Sequence, residues 1–427
     1  FRVPTYRDPI PTSLWIVNLL TEEKRELTKG DAIQPSWSPN GKRIAFWAVN
    51  DNGKRDIKTV SAKGGEAVSV TDDEFIDWNP IWSPDGKYLY FASDRSGSMN
   101  VSRIKIDEES GKTLGNPELI TTPSSYSQHL SVSAGGKRLA YVQSKNSVNI
   151  LKYRFNPVTG VFGAKPTEIT KGANRYQNPD VSPDGEWIAF DAIRNKQRDL
   201  FAIKSDGTEI RQITNDIASE RGPRWSPDGK KLVSYSDRSG KSEGWLVNSD
   251  GSNLHQITQI KNDDSAKTVL WSPNGKELLV NIGGKFPFFI EADKAFSEQT
   301  VRPMLRKTPS GYDIVATSWS ADGNRIIADK FNEKPRVFGI ITFDIDTQKY
   351  RDHTDFGSSP YWLNDSRRAI FFDERSVYLL DTKTSKTKKI LSVAPNLIQN
   401  LSISPDNLAI YISLEKNEAD IWLADLE

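Results

Sequence analysis

The sequence predicts an all-β protein, a single β-propeller built from four-stranded antiparallel blades. A motif resembling WSPDGK, followed by an alternating apolar strand, occurs nine times at intervals of 41 to 50 residues. Four copies lead to a short segment ending in Ile-Thr and one to a segment ending in Val-Thr, and a segment ending in Leu-Thr precedes the first motif. A period of roughly 40–45 residues with several short strands is typical of propeller blades. The motifs begin at Trp37, Trp82, Val132, Val181, Trp225, Trp271, Trp319, Trp362 and Ile403.

The unit that begins at Arg221 shows how the residues specify one blade. Its first strand ends at Pro227, and Asp228-Gly229 then forms a tight turn, because Asp bonds to the backbone and Gly accepts positive φ. The Trp or Val that opens each motif is predicted to fill the seam between blades. The three further strands are predicted at residues 231–236, 244–248 and 254–258.

The ring of blades is expected to close through the N-terminal segment. The chain ends on a third strand without a fourth, and residues 1–30 contain two strand-like segments, so an N-terminal outer strand would complete the last blade and remove its edge. Nine motifs predict nine blades, or eight if one motif is diverted into an embellishment. Residues 283–312 break the rhythm and are predicted to be an irregular insert in one domain spanning residues 1–427.

Composition and charge exclude several classes of partner. The 57 Lys and Arg residues balance 56 Asp and Glu residues, so no overall field attracts nucleic acid. No run of 18 apolar residues is present, which argues against membrane insertion. The chain has no Cys, which excludes disulfides and thiol chemistry and fits the cytoplasm or the periplasm. It begins with Phe rather than Met, so a removed signal or anchor stays open.

The repeat resembles that of TolB-type propellers over nearly the whole chain. The stretches GDAIQPSWSPNGKRIAFWA, DDEFIDWNPIWSPDGKYLYFASDRSGSMN and ANRYQNPDVSPDGEWIAF are similar to C-terminal propeller modules of bacterial serine/threonine kinases and winged-helix regulators. This resemblance implies a non-catalytic binding or sensing module in a bacterial signalling or envelope protein, with a periplasmic or other extracytoplasmic location ahead of a cytoplasmic one. Similar repeats also build TolB, a periplasmic binding protein, and the propellers that gate prolyl oligopeptidase-type and tricorn proteases.

Binding is predicted on the face opposite the Asp-Gly turns, here called the top face. It carries the starts of the inner strands and the variable loops, and variable loops on a fixed scaffold are where binding usually occurs. Aromatic and Arg side chains commonly anchor interfaces. The alternative is that these side chains cap a central channel. The predicted binding residues are Asp77, Trp78, Tyr126, His129, Arg175, Tyr176, Glu220 and Arg221.

The pairs Asp94-Arg95 and Asp237-Arg238 occupy the same register in two repeats. A group repeated at one register is more typical of a structural contact than of a unique site. We therefore predict an Asp–Arg contact that ties a loop to its neighbour.

The sequence contains no complete catalytic set. It has no G-x-S-x-G elbow and no phosphate-binding G-x-x-x-x-G-K-[ST] loop. Its three histidines, His129, His255 and His353, lie in different registers, which argues against a His-based metal centre. We therefore predict no catalysis, cofactor or metal site, and a monomer that binds a protein or peptide on its top face. The alternative is the substrate-gating propeller of a peptidase or carbohydrate-active enzyme whose catalytic domain lies outside this chain.

Overall fold

The computed structural model consists of β-strands joined by turns, which confirms the all-β prediction. It describes residues 12–426 except 50–53, 122–126, 164, 173, 195–196, 261–263, 284, 295, 305–307, 309–310 and 334–335. The chain divides into two compact units, Phe1–Asn146 with Asn417–Glu427 and Ser147–Lys416, whereas the sequence predicted one domain. Within the described residues, no helix has both the length and the apolar character needed to cross a membrane.

The first unit contains a hairpin and three sheets. The hairpin consists of β1 (Trp15–Val17) and β2 (Lys24–Glu26). The first sheet consists of β3 (Ile33–Trp37), β4 (Arg43–Val49), β5 (Arg55–Ser61) and β6 (Val68–Ser69). The second consists of β7 (Asp77–Trp82), β8 (Tyr88–Ser93), β9 (Asn100–Lys105) and β10 (Glu118–Leu119). The third contains β11 (Ser127–Val132) and the first part of the long strand β12 (Arg138–Asn156).

The second unit contains six sheets, five of which are formed by consecutive strands. After β13 (Val161–Phe162) and β14 (Thr167–Glu168), the first four such sheets follow in chain order. They are β15 (Tyr176–Val181), β16 (Trp187–Arg194), β17 (Gln197–Lys204) and β18 (Ile210–Gln212); β19 (Glu220–Trp225), β20 (Lys231–Ser236), β21 (Glu243–Asn248) and β22 (His255–Gln256); β23 (Ala266–Trp271), β24 (Glu277–Ile282), β25 (Lys285–Glu291) and β26 (Arg302–Pro303); and β27 (Asp313–Trp319), β28 (Arg325–Glu333), β29 (Arg336–Asp344) and β30 (Lys349–Asp352).

The fifth consecutive sheet and the closing sheet complete the second unit. The fifth sheet consists of β31 (Ser358–Trp362), β32 (Arg368–Asp373), β33 (Ser376–Asp381) and β34 (Lys386–Ser392). The last strands of the chain are β35 (Leu397–Ile403) and β36 (Ala409–Asp425). The closing sheet has the order β35, β36, β12, β14, so its two inner strands come from the end of the chain and its outer strands precede β15.

The inner strands of the second unit form a closed ring. Each contacts the next in the order β15, β19, β23, β27, β31 and β35, and β35 contacts β15 again. The closing sheet joins the two ends of the unit by hydrogen bonds, for example from Phe155 N to Leu408 O at 2.8 Å. Closure of this kind leaves no open edge between the first and last sheets of the ring.

The N-terminal strands do not complete the last blade, contrary to the prediction. Among the described strands β1 pairs with β2, and Leu14 and Leu27 pack against Ile44 and Phe46 of the neighbouring sheet. The sequences SKNS at 144–147 and EKNE at 415–418 contain neither Gly nor Pro, so the chain does not turn there as it does at DRSG. Instead β12 and β36 continue as strands of 19 and 17 residues, and the boundary between the units falls within both.

The region 283–312, predicted to be an insert, supplies the third and fourth strands of a regular sheet. The strand β25 pairs with β24 and with β26, and a 3₁₀ turn at Phe296–Glu298 joins them. Phe289 and Met304 from this region are buried in the core shared with the next sheet. This blade was not recognised in the sequence, because its outer strand lacks the Ile-Thr ending of other repeats. Its strands nevertheless pair as in the other sheets.

The WSPDGK motif specifies a turn through its Ser and Asp side chains. Ser226 Oγ donates to Asp228 Oδ1 at 2.6 Å and accepts a hydrogen bond from Lys231 N at 2.9 Å. Gly229 adopts a φ of 70°, which favours glycine. The hydrogen bond from Ser226 also holds the pKa of Asp228 below its usual value. The same Ser-to-Asp or Ser-to-Asn bond occurs at Ser38, Ser83, Ser182, Ser272, Ser320 and Ser404.

The Thr that ends the outer strand also has a repeated structural role. Thr214 is buried, and its hydroxyl accepts a hydrogen bond from Leu200 N on the third strand at 3.0 Å. A buried backbone N–H needs such a partner where the outer strand ends. Equivalent bonds are made by Thr71, Thr121, Thr170, Thr258 and Thr354.

The motif Trp lies at the seam between sheets where the ring is complete. Trp225 Nε1 donates to Asp180 O at 3.1 Å, and Trp271 Nε1 donates to Arg224 O at 3.3 Å. In both cases the acceptor belongs to the inner strand of the preceding sheet, as the predicted packing role requires. Trp37 in the first unit differs, since 52% of its surface is exposed.

We expect Ser226→Ala to lower the free energy of unfolding by about 1–2 kcal/mol, because it removes both hydrogen bonds of the turn. Urea denaturation followed by tryptophan fluorescence measures this change. The control is Ser239→Ala in an exposed loop, for which we expect a change of less than about 0.5 kcal/mol. Equal effects of the two substitutions would show that the Ser side chain does not specify the turn.

Candidate functional site

A hydrogen bond spans the ring of the second unit. Arg224 on β19 donates from Nη2 to the hydroxyl of Tyr361 on β31 at 2.7 Å. Between these two strands lie β23 and β27 on one side and β15 and β35 on the other, so they face each other across the ring. This contact therefore obstructs the central channel that the inner strands surround.

Asp180 on β15 also contacts the guanidinium of Arg224. Its Oδ1 lies 3.5 Å from Arg224 Nη1, and its Oδ2 accepts a hydrogen bond from Trp225 N at 2.8 Å. Burial raises the pKa of Asp180 to about 6, against the opposing effects of Arg224 and the Trp225 amide. Burial also raises the pKa of the Tyr361 hydroxyl, which therefore stays protonated near neutral pH. At pH 7 the channel thus holds an ionised carboxylate, a guanidinium and a neutral phenol.

Asp329 on β28 is a second carboxylate near the channel, beside the inner strand β31. It accepts a hydrogen bond from Ser359 N at 2.7 Å, and burial raises its pKa to about 7. Within the part of the chain that the structure describes, no cationic side chain lies within 4.0 Å of it. Among the described residues, its charge is therefore met by the Ser359 amide and by no cation.

A hydrogen-bond network centred on Asp191 fixes the inner strands near the top face. Asp191 is fully buried, and its Oδ1 accepts from Asn178 Nδ2 at 2.6 Å and from Gly222 N at 3.1 Å. Its Oδ2 lies 3.2 Å from Arg198 Nη1. Asn178 in turn accepts a hydrogen bond from Asn400 Nδ2 at 2.7 Å. The network joins five strands, β15, β16, β17, β19 and β35.

Two of the predicted binding residues, Asp77 and Glu220, are fully buried and paired with an arginine of their own sheet. Arg95 Nη2 lies 2.8 Å from Asp77, and Arg238 Nη2 lies 2.8 Å from Glu220. Burial raises the pKa of both carboxyl groups. In this structure both acids hold the loop that carries the arginine against the start of the inner strand.

The Asp-Arg dipeptides therefore tie loops together, as predicted, but the two residues do not pair with each other. Asp94 Oδ1 accepts a hydrogen bond from Ile76 N at 2.8 Å, and Asp237 Oδ1 accepts one from Ser219 N at 2.8 Å. Each Asp thus fixes the loop before the inner strand, while the following Arg binds the acid on that strand.

His129 occupies a repeated backbone position. It is exposed and adopts a φ of 54° at the register shift in β11. Such a bulge re-aims the strand and needs a residue that tolerates the left-handed region. Residues with positive φ stand at the same place in the other inner strands, namely Gln34, Asn79, Asn178, Gly222 and Ser359.

The other predicted binding residues differ in their surroundings. Trp78 is half-buried under the guanidinium of Arg55, which lies 4.9 Å from its ring centroid. Arg175 lies 3.6 Å from Glu415, and Tyr176 is buried with its ring edge against Phe190. Arg221 is exposed, and Tyr126 lies outside the described residues.

The predicted binding residues are divided between the two units. Asp77, Trp78 and His129 belong to the first unit, and the residues from Arg175 to Arg221 belong to the second. Within the second unit, the structure brings Arg221 and Glu220 to the start of β19. A binding role for these residues as a group stays a prediction.

The sequence analysis missed Asp180, Arg224 and Tyr361, although a signal was available. Each of the three residues immediately precedes the Val or Trp that opens a motif. Since this register lies on the channel side of the inner strand, charged residues there in consecutive repeats indicate a polar channel. The equivalent position elsewhere is often small or apolar, as at Ser318 and Leu270.

One acidic cluster has the spacing of a metal site. Carboxylate oxygens of Asp56, Asp73 and Asp77 lie within 4.8 Å of one another in the first unit. The guanidinium of Arg95 lies 3.2 Å from Asp73 and 2.8 Å from Asp77, so it already supplies positive charge there. The cluster is therefore accounted for by the Arg95 contact and carries no metal assignment.

We expect Arg238→Gln to lower the free energy of unfolding by roughly 3 kcal/mol, because Glu220 would be left buried without its cation. The matched variant Arg221→Gln removes an exposed charge from the same sheet and should change stability by less than about 0.5 kcal/mol. Urea denaturation at neutral pH measures both. A small effect of Arg238→Gln would show that the buried pair contributes little to the fold.

Asp329→Asn should stabilise the protein in a pH-dependent way. Because the folded-state pKa of Asp329 is raised to about 7, the wild type loses stability as pH rises from about 4 to about 7, and the variant does not. We therefore expect the variant to be more stable by roughly 2–4 kcal/mol above pH 7 and equal to wild type near pH 4. Urea denaturation across this range tests it, with the exposed Asp346→Asn as control. A difference that is independent of pH would contradict the assigned ionisation.

Comparison with known proteins relates this fold to a propeller family. Residues 8–160 and 163–301 match the family model described as the TolB beta propeller domain. The uncharacterised peptidase YuxL of Bacillus subtilis is 28% identical over 192 residues, which cover 44% of this chain and 26% of the peptidase. The Tol-Pal system protein TolB of Alcanivorax borkumensis is 34% identical over 65 residues, 15% of each chain.

A solved structure, a puromycin-hydrolysing peptidase of Mycobacterium tuberculosis, is also similar. It shares 13% identity with a TM-score of 0.40, over 86% of this chain and 53% of that one.

The similarity to YuxL overturns the prediction of a non-catalytic sensing module in a signalling or envelope protein, because that relative is a peptidase. A relationship to the propellers of kinases and winged-helix regulators stays a prediction. The chain spans about a quarter of YuxL and a smaller share of TolB, so the match concerns a segment of each relative. The family model, however, matches well over half of the residues, and the chain belongs to the TolB β-propeller domain family.

Proposed function

We propose that this chain is the substrate-gating propeller of a peptidase, and that the channel of the second unit is the passage it controls. The catalytic residues then lie outside this chain, since its sequence contains no G-x-S-x-G elbow. The similarity to YuxL supports a peptidase, and the matched segment leaves most of that relative for other parts of the protein.

The observation that carries the proposal is the Arg224–Tyr361 hydrogen bond across the ring. A contact between two side chains opens by rotamer changes, whereas the sheets that hold them are fixed by backbone hydrogen bonds. A hydrogen bond to a charged group contributes about 1.5–3 kcal/mol, so opening costs little compared with unfolding a blade. The contact can therefore exclude bulky material and still admit an extended chain.

The chemistry of the channel suits a peptide rather than an apolar ligand. Asp180, Asp329 and Arg224 place charges on the inner strands and beside them, and the Asn178–Asn400 pair adds amide groups. An extended peptide carries a donor and an acceptor at each residue and needs such partners when it leaves water. The lining would meet that requirement along the passage.

We also infer an extracytoplasmic location, which the similarity to TolB supports. The absence of Cys is compatible with it but also with the cytoplasm. Cell fractionation with an antibody against this chain distinguishes the two compartments.

The gate is tested by Tyr361→Phe in the protein as the cell makes it. This change removes the hydroxyl that binds Arg224 and keeps the ring, so we expect kcat/KM for a long peptide such as the insulin B chain to rise about tenfold. Hydrolysis of an aminoacyl-aminomethylcoumarin, which is small enough to pass a narrow opening, should stay unchanged. Mass spectrometry of the products and fluorescence measure the two rates.

The matched control is Tyr378→Phe on β33 of the same sheet as Tyr361, a half-buried tyrosine that stacks on Phe371. It should leave both rates as in wild type. If Tyr361→Phe also leaves the long peptide unaffected, the channel is not the route of the substrate. If the wild-type protein hydrolyses neither substrate, the peptidase proposal is refuted.

A further inference from the structure

We propose that the top face of the second unit holds a groove that binds the C-terminal carboxylate of a peptide, with Arg221 as its counter-ion. The proposal rests on the proposed function only in taking a peptide as the ligand. The groove lies between the adjoining ends of β16 and β17 and the start of β19, and its volume is about 410 Å³. That volume falls in the range of roughly 300–1,000 Å³ typical of small-ligand pockets, so it accommodates a chain end rather than a folded surface.

The groove combines an apolar side with two guanidinium groups. Ile193, Ile217 and Ala218 supply apolar surface, and Arg198 and Arg221 supply the cations. Ile217 is fully exposed, with 101% of the reference surface accessible. An isoleucine exposed to this degree gains free energy when a ligand side chain covers it. Among the described residues, the groove lining contains no carboxylate, so its chemistry favours an anionic group beside an apolar one.

The two arginines differ in how far their charge is already compensated, because both act on the Asp191 carboxylate but only Arg198 is in contact with it. Arg198 lies 3.2 Å from Asp191 and donates to Gln177 at 3.2 Å, so it is fixed and largely neutralised. Arg221 is exposed, and no carboxylate among the described residues lies within 4.0 Å of its guanidinium. A guanidinium with free N–H groups binds a carboxylate through two parallel hydrogen bonds. Arg221 is therefore the residue available to a ligand anion.

The backbone holds Arg221 in a defined place. The next residue, Gly222, donates its N–H to the buried Asp191 at 3.1 Å and adopts a φ of 61°. A Cβ at this glycine would lie 3.0 Å from the ring of Tyr235, so the close approach requires glycine here. Binding then loses little conformational entropy in the backbone that carries the arginine.

The loop that carries Ile217 is anchored on both sides. Ala218 N donates to Asp216 Oδ1 at 2.9 Å, and Ser219 N donates to Asp237 Oδ1 at 2.8 Å. Asp216 is itself paired with Arg238. An exposed isoleucine on an anchored loop beside a free arginine is a combination that matches the last residue of a peptide with an apolar side chain.

The proposal is tested by fluorescence anisotropy with three labelled peptides and the full chain. The first ends in Leu with a free carboxylate, the second is its C-terminal amide, and the third is the amide with Glu in the penultimate position. We expect the free acid to bind about tenfold or more tightly than either amide, as one charge-assisted contact contributes. Arg221→Gln should remove this preference.

Two further variants separate the charge from the apolar contact. Arg375→Gln removes an exposed arginine from the equivalent hairpin between β32 and β33, and it should keep the preference for the free acid. Ile217→Ser should weaken all three peptides about tenfold and leave the preference for the free acid intact.

Each other outcome overturns the proposal. Equal binding of the free acid and the plain amide shows that no carboxylate is recognised. Equal binding of the free acid and the Glu amide shows that an acidic side chain, and not the chain end, is the ligand. Absence of binding by folded wild-type protein shows that the groove is not a peptide site. None of these results bears on the gate, which is tested through Tyr361 and the length of the substrate.

Discussion

The pairing of β12 with β36 is the constraint on which the second unit depends. Without it the last motif would be a two-stranded hairpin and the first sheet of the ring would have no neighbour on one side. With it, six inner strands surround a channel, and β19 is brought opposite β31. The Arg224–Tyr361 contact, and the gate inferred from it, exist only because the ring is closed.

Side-chain hydrogen bonds within each sheet make the blades regular. The Ser-Asp turn, the buried Thr that accepts from the third strand, and the left-handed residue in the inner-strand bulge recur from sheet to sheet. These devices satisfy backbone groups that would otherwise be buried without partners. They explain why the motif residues are repeated and why such residues carry no information about a ligand.

Charged side chains, unlike these repeated hydrogen bonds, differ from one part of the structure to another. The acids at the starts of β7 and β19 are buried and are compensated by an arginine of the same sheet, so they stabilise the fold. Around the channel the compensation is incomplete, because among the described residues Asp329 has only a backbone donor, and Asp180 shares Arg224 with Tyr361. In the groove on the top face, Arg221 is exposed beside apolar side chains. Incomplete compensation is what distinguishes the channel and the groove from the repeated contacts, and it is the physical basis for assigning function to them.

The sequence by itself determined the all-β class, the position of every motif turn and the structural use of the Asp-Arg dipeptides. Those features depend on residues close in the chain, whose spacing fixes their hydrogen bonds. It did not determine where the ring closes, because the absence of a turn at SKNS and EKNE becomes informative only when β12 and β36 are seen to pair. Nor did it identify Asp180, Arg224 and Tyr361 as one group. It did single out Arg221, which lies in the groove on the top face. Arg224 and Tyr361 are separated by 137 residues, and only the closed ring places their side chains within hydrogen-bonding distance.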